Sequence, residues 1–253
     1  MRPARFAFLE NTGTLAFAHR GGALEAPENT MTAFRYAVEL GFRYLETDVY
    51  ATRDGAVVAF HDDRLDRVTD RKGPIEGLTL ADIRAARIGG TEPIPLLSDI
   101  LEAWPDVRIN IDAKHDAAVD PLIRVLKAMN VQDRVCVAAF SDKRIARVLR
   151  AFDGRICTAL GPKSTLRLKA AAMGFPVGRF VGGCAQVPWK LHGRTLVDRR
   201  FVAAAERYGL QVHVWTIDDS DAMHALLDIG VHGLMTDRPR VLRDVLIRRG
   251  QWA

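Results

Sequence analysis

A closed (β/α)8 TIM barrel is the fold class this 253-residue chain predicts, and three observations carry the prediction. Short β-type runs alternate with segments of helical period through most of the sequence, the pattern of repeated βα units about a parallel sheet. Eight such units can be counted, and closing eight parallel strands into a barrel removes the exposed edges that an open doubly wound sheet would keep. The length suits one such unit, since α/β barrels run to roughly 250 residues. Residues 1–253 are therefore read as a single domain.

In chain order, the first strand is expected at 15–19 (LAFAH), an apolar run closing on His19, with helical periodicity over 30–41. The second, 43–49 (RYLETDV), carries two acids in an otherwise β-type run. Beyond it Asp54-Gly55, between two β-type runs, is a hairpin signal. The polar stretch from about 62 to 97 contains Gly and Pro and is too long for a plain βα loop. It is read as a small insertion after the second strand, lying over one mouth of the barrel, with a helix following at 98–104. The remaining strands are expected at 107–112 (VRINID), 135–139 (VCVAA), 156–159 (ICTA), 180–183 (FVGG), 211–215 (QVHVW) and 233–236 (GLMT). Their helices are expected at 117–129, 142–152, 164–174, 196–208, 219–229 and 238–249.

Composition narrows the function classes. With 48% hydrophobic and 26% charged residues the chain has ample material for a core, which excludes disorder, a fibrous repeat and a disulfide-stapled miniprotein. The net charge of +5 is mild, and its carriers, such as Arg144, Arg147, Arg150, Arg167 and Lys169, are scattered along predicted helices. They read as solvated helix faces, and no nucleic-acid partner is expected. Cys136, Cys157 and Cys184 sit in or beside apolar runs without metal-type spacing and read as reduced core thiols. Glu10 and Asn11 interrupt the N-terminus before a secretory apolar region forms, and no run approaches the roughly 20 apolar residues of a membrane span. A cytoplasmic protein is expected.

The ionisable residues fall at or just past predicted strand ends, the catalytic face of such a barrel. Glu46 and Asp48, two apart on a strand, point to one side, and a lumenal pair of carboxylates calls for a cation or a proton between them. Asp112, ending the neighbouring strand, would add a third oxygen; oxygen-only ligation suits Mg2+ or Ca2+. His19 and His61 each follow an apolar run and precede a polar partner, which suits a base and an acid near neutral pH. Arg20 offers a bidentate fork and Lys114 a point charge, so phosphate chemistry is the natural fit. Trp215 is placed as an aromatic wall of the substrate pocket or as a core residue. His115, His192, His213, His224 and His232 are read as structural. Nucleotide-binding glycine loops, serine-hydrolase elbows and zinc-type Cys/His spacings are not found.

Seven segments together carry a resemblance: AHRGG at 18–22, PENT at 27–30, AF at 33–34, ETDVYATRDGAVVAFHDDRLDRVTD at 46–70, IPLLSDIL at 94–101, VHVWTI at 212–217 and GLMTDRP at 233–239. The chain resembles the glycerophosphodiester phosphodiesterases over nearly its whole length. That resemblance implies a TIM barrel with a small insertion after the second strand, Mg2+ or Ca2+ as cofactor with Mn2+ a further option, and hydrolysis of glycerophosphodiesters to sn-glycerol 3-phosphate and an alcohol. It implies His19 and His61 as the acid/base pair, Glu46 and Asp48 as metal ligands, and Arg20 as a phosphate ligand. Where the family has Glu-x-Lys at the end of the third strand, this chain has Asp112-Ala113-Lys114, one methylene shorter. Asn29, in PENT, fits a loop-fixing role or a helix N-cap. In the implied mechanism His19 is the base and His61 the acid; the nucleophile is either water or the glycerol 2-hydroxyl. Three other readings stand beside it: a lysophospholipase D or sphingomyelinase D-like phosphodiesterase or cyclising lyase on the same fold, a non-catalytic phosphodiester-binding module, and a metal-dependent lyase or isomerase.

Overall fold

The structure, a computed structural model, describes residues 4–11 and 13–252. Eight parallel strands form the barrel: β1 (Leu15–Ala18), β2 (Tyr44–Ala51), β3 (Arg108–Ala113), β4 (Val135–Ala138), β5 (Cys157–Thr158), β6 (Cys184–Pro188), β7 (Gln211–Trp215) and β8 (Gly233–Thr236). Each is followed by a helix on the outside: α1 (Met31–Glu39), α2 (Leu97–Ala103), α3 (Asp116–Met129), α4 (Asp142–Ala151), α5 (Pro162–Ala172), α6 (Arg199–Arg207), α7 (Ser220–Asp228) and α8 (Pro239–Arg248). The strands pair in the order β5-β4-β3-β2-β1-β8-β7-β6. The ring closes through a single parallel bridge, Ala159 to Cys184, and its flanking bonds: Leu160 N donates to Cys184 O at 2.8 Å and Gly183 N to Thr158 O at 2.9 Å.

Alternation along the strands sorts residues between two cores. Leu45, Val49, Ile109, Ile111, Val137, Val212, Val214 and Leu234 face outward into the apolar layer beneath the helices. The lumen toward the N-terminal end is filled by Phe17, Tyr44, Met235 and three cysteines, under Phe8 and Leu9 of the N-terminal turn. The Tyr44 hydroxyl donates to the Phe8 carbonyl at 3.1 Å and fastens that turn over the barrel floor. Toward the C-terminal end the lumen turns polar, which puts Glu46, Asp48, Asn110 and Asp112 inside although every residue of β2 is buried.

The hairpin expected at Asp54-Gly55 forms: β2 pairs antiparallel with Val57–Ala59, and Gly55 takes φ 84°. The insertion that follows contains a one-turn helix, Leu80–Arg84, and a two-stranded ribbon, Arg87–Ile88 with Glu92–Pro93, around its own apolar cluster of Phe60, Leu65, Ile75, Ile83 and Ile88.

Two expectations are corrected. The sixth strand lies at Cys184–Pro188, not 180–183. FVGG is apolar, but a Cβ on Gly183 would come within 2.8 Å of Leu9 Cδ1 and Phe6 Cδ2, so the glycines serve close approach and the ladder starts after them. Next, the connection after β6 holds an unforeseen hairpin, Lys190–Leu191 with Arg194–Thr195, turning through His192 and Gly193 at φ 48° and 76°. The helix expected at 196–208 consequently begins at Arg199.

Candidate active site

A cavity of about 890 Å3 opens at the C-terminal end of the strands, and it is lined by His19, Arg20, Glu46, Asp48, His61, Asp112, Lys114 and Trp215 together. The residues named from the sequence as catalytic, substrate-binding or metal-ligating candidates thus reach one space.

His19 and Arg20 sit in a tight turn that ends β1, with Arg20 at φ 52° and Gly21 and Gly22 also in the left-handed region. A Cβ on Gly21 would meet Ala33 Cβ at 2.7 Å and one on Gly22 would meet Pro239 Cγ at 2.6 Å, which explains the double glycine. His19 Nδ1 is 2.7 Å from Asp237 Oδ1, and its Nε2 lies 3.8 Å from Glu46 Oε2. Burial pulls the imidazole pKa down, but the Glu46 and Asp237 carboxylates outweigh it and hold it above the ordinary value. Asp237 is itself positioned from below, its N–H donating to Asp218 Oδ1 at 2.7 Å.

His61 is held in the same manner. Its Nδ1 lies 2.6 Å from Asp62 Oδ1. Arg67 Nε donates to Asp62 Oδ2 at 2.6 Å, and its two terminal nitrogens donate to the Glu28 carboxylate at 2.7 and 2.8 Å. The Arg67 guanidinium holds the Asp62 carboxyl down at about 2. Glu28 also accepts from Arg20 at 3.2 Å, so through two arginines the PENT segment is tied both to the turn after β1 and to the insertion.

The carboxylates cluster as their register dictates. Glu46 pairs across the ladder with Asn110 and Asp48 with Asp112. Lys114 Nζ stands 2.8 Å from Asp48 Oδ1 and 2.8 Å from Asp112 Oδ2. Asp48 Oδ2 accepts from Asn29 Nδ2 at 3.1 Å, and Arg20 Nε lies 3.1 Å away but out of line for a hydrogen bond. Burial would raise Asp48, yet Lys114 and Arg20 keep it below the usual range; Glu46, buried beside Asp48, is pushed up to about 7. Asn29 also accepts from the Thr47 hydroxyl at 2.8 Å, while the N-cap of α1 is Thr30, whose side chain accepts from Ala33 N at 3.1 Å. Of the two expectations for Asn29, positioning holds and capping does not.

Asp112 Oδ1 is buried without a hydrogen-bond partner, and burial together with the neighbouring Asp48 carboxylate raises Glu46; a hard cation would relieve both. Glu46, Asp48 and Asp112 supply only oxygen donors, the set that suits Mg2+ or Ca2+.

Opposite these polar groups the cavity wall is apolar. Trp215 stacks edge-on against Phe140, ring centroids 5.9 Å apart, and Phe140, Leu166 and Leu191 are 66%, 71% and 50% exposed at the rim. None of these three was signalled in the sequence. Asp237 could have been found, because it directly follows a strand end; Arg67 could not, because only the folded insertion brings it to Glu28.

Residues 19–241 match the glycerophosphoryl diester phosphodiesterase family model. The chain belongs to that family. A Mycobacterium tuberculosis protein named probable glycerophosphodiester phosphodiesterase 2 is 41% identical, over 97% of this chain and 95% of that protein. A human lysophospholipase D is 28% identical, over 90% of this chain and 85% of that protein. The Oleispira antarctica phosphodiesterase solved with the product sn-glycerol-3-phosphate shares the fold at a TM-score of 0.78 and 23% identity, covering 93% of this chain and 97% of that one. The chain is accordingly an enzyme of the glycerophosphodiester phosphodiesterase class on a TIM barrel. Among the described residues no helix is long and apolar enough to cross a membrane.

Proposed function

We propose that this enzyme hydrolyses glycerophosphodiesters to sn-glycerol 3-phosphate and an alcohol in a divalent-metal-dependent reaction, with His19 and His61 as its acid/base pair. One observation carries the reading: each of the two imidazoles facing the cavity is fixed at Nδ1 by a carboxylate, Asp237 or Asp62, which leaves Nε2 for proton transfer. A pure binding module has no use for two oriented imidazoles.

Glu46, Asp48 and Asp112 are the residues that would hold Mg2+, Ca2+ or Mn2+, and the ion would supply positive charge against the phosphoryl oxygens. Arg20, anchored by Glu28, directs its guanidinium to the phosphate. Lys114, whose ammonium Asp48 and Asp112 hold protonated above its ordinary range against the pull of burial, adds a permanent charge. His19 takes the proton of the nucleophile at Nε2 and His61 delivers one to the departing alkoxide; water and the glycerol 2-hydroxyl both satisfy this scheme.

The test is release of glycerol 3-phosphate from glycerophosphocholine and glycerophosphoethanolamine, by chelated enzyme and after resupply of Mg2+, Ca2+ or Mn2+. Turnover restored by metal and lost in both His19→Ala and His61→Ala is expected. Full turnover in chelator, or in either variant, overturns the reading.

A second reading, lysophospholipase D-like action, is favoured by the apolar wall of Phe140, Leu166, Leu191 and Trp215, which can cover an acyl chain that glycerophosphocholine lacks. Phosphorus NMR of products from lysophosphatidylcholine and glycerophosphocholine, offered in competition, separates the two.

A further inference from the structure

Far from the mouth, on the barrel floor, Cys136, Cys157 and Cys184 converge from three consecutive strands, β4, β5 and β6. Their sulfurs all lie within 4.8 Å of one another, and those of Cys136 and Cys184 are 3.8 Å apart. All three are free and buried. Two thiolates bound to one ion at about 2.3 Å, at tetrahedral angles, stand about 3.8 Å apart. The Cys136–Cys184 edge already has that length, and the others need to close by at most an ångström.

The position of the cluster gives it a task. β5 is two residues long, and it meets β6 through the one bridge Ala159–Cys184, so the barrel seam is thinnest here. Cys136 and Cys157 are direct register partners across β4 and β5, and Cys184 belongs to the bridge itself. The floor over them is closed by Phe6 and Leu9 of the N-terminal segment.

We infer that Cys136, Cys157 and Cys184 form a second metal site, for a thiophilic d10 ion of the Zn2+ or Cu+ kind, which staples β4, β5 and β6 across the seam. Hard ions such as Mg2+ and Ca2+ are not its ligands, because the donors are all sulfur. On binding, every sulfur that still carries a proton releases it to solvent as it bonds to the ion, and no electron is transferred. Affinity therefore weakens as pH falls.

The test uses the full chain, reduced and stripped of metal, in saturating Mg2+ so that the mouth is occupied. It is titrated with Zn2+, with Cu+ under anaerobic reductant, and with Cd2+ as the probe whose thiolate charge-transfer absorption is direct. A charge-transfer band saturating at one equivalent of Cd2+ is expected, with displacement by Zn2+ or Cu+ identifying the preferred ion. At a hundredfold excess over Kd, Tm rises by roughly 5–10 °C. Cys136→Ser, Cys157→Ser and Cys184→Ser should each lose the band and the rise while still releasing glycerol 3-phosphate; Ala replaces Ser wherever the barrel fails to form. Absence of the band in the reduced wild-type chain overturns the inference. So does a band that survives loss of any one cysteine, or a chain that is isolated lighter by two hydrogens and takes up no ion after reduction, which marks a disulfide pair instead.

Discussion

His19 Nδ1 and Asp237 Oδ1 lie 2.7 Å apart across 218 residues of sequence, so the end of the last strand orients the imidazole supplied by the first. Asp237→Asn keeps the shape and removes the charge. The expected result is a kcat about 10–100-fold lower with little change in KM. The His19 limb of the pH profile should move to lower pH, because a carboxylate that favoured the imidazolium is gone. An unchanged limb would make the contact purely structural.

Much of this arrangement could be read from the chain alone, and the parts that could not share a cause. β2 and β3 announced themselves because Glu46, Asp48 and Asp112 are charges inside β-type runs, and a charge in a run buried on both faces has to answer to the lumen. β6 was displaced because FVGG offers hydrophobicity without the side chains a ladder needs, and only the approach of Leu9 and Phe6 shows why Gly183 is small. Arg67 and Phe140 escaped because their importance lies in partners distant in sequence, Glu28 and Trp215, whereas Asp237, partner of His19, carried the local signal of directly following a strand end. The His192-Gly193 turn is a two-residue hairpin like those that Asn-Gly and Asp-Gly announce, and it was hidden because His-Gly is not among the pairs that usually mark one.

Asn29 ties Thr47 to Asp48 from a left-handed backbone position at φ 55°. Asn29→Ala takes the 2.8 Å acceptor from the buried Thr47 hydroxyl, leaving it only the 3.4 Å contact with the Asp48 carbonyl, and strains the backbone, so Tm is expected to fall by roughly 3–8 °C. Asn29→Gly relieves the strain alone and should recover part of the loss. Equal Tm values for the two variants would assign the whole effect to the hydrogen bonds.

Arg67 is half-exposed, so its pairs with Asp62 and Glu28 are screened, and Arg67→Ala should cost only about 1 kcal/mol at neutral pH. The sign with pH follows from Asp62. Its folded pKa of about 2 lies below the ordinary value of 3.8, so the unfolded chain binds more protons between those limits and stability rises with pH there. The contribution is complete above pH 4 and disappears as pH falls through 2. Denaturation curves of wild type and variant should therefore converge in acid, and a constant gap would contradict the assignment.

Asp112→Asn removes one charge from the oxygen cluster while preserving its size. The metal concentration needed for half-maximal turnover is expected to rise by about 10–100-fold. Turnover measured against free Mg2+, Ca2+ and Mn2+ reads this directly, and an unchanged half-saturation point would remove Asp112 from the ligand set.

Leu166→Glu places a carboxylate on the apolar rim without touching the polar half of the cavity. With lysophosphatidylcholine KM should rise about tenfold or more, consistent with loss of about 1–3 kcal/mol of apolar contact. With glycerophosphocholine it should hardly move. Equal effects on both substrates would show that the rim does not receive an acyl chain.

The insertion between β2 and α2 packs around its own Phe60, Leu65, Ile75, Ile83 and Ile88, yet it delivers Asp62 to His61 and Arg67 to Glu28. Such a self-supporting piece can vary in its own packing without disturbing the barrel, and what it passes to the cavity runs through two polar contacts, Asp62 on His61 and Arg67 on Glu28.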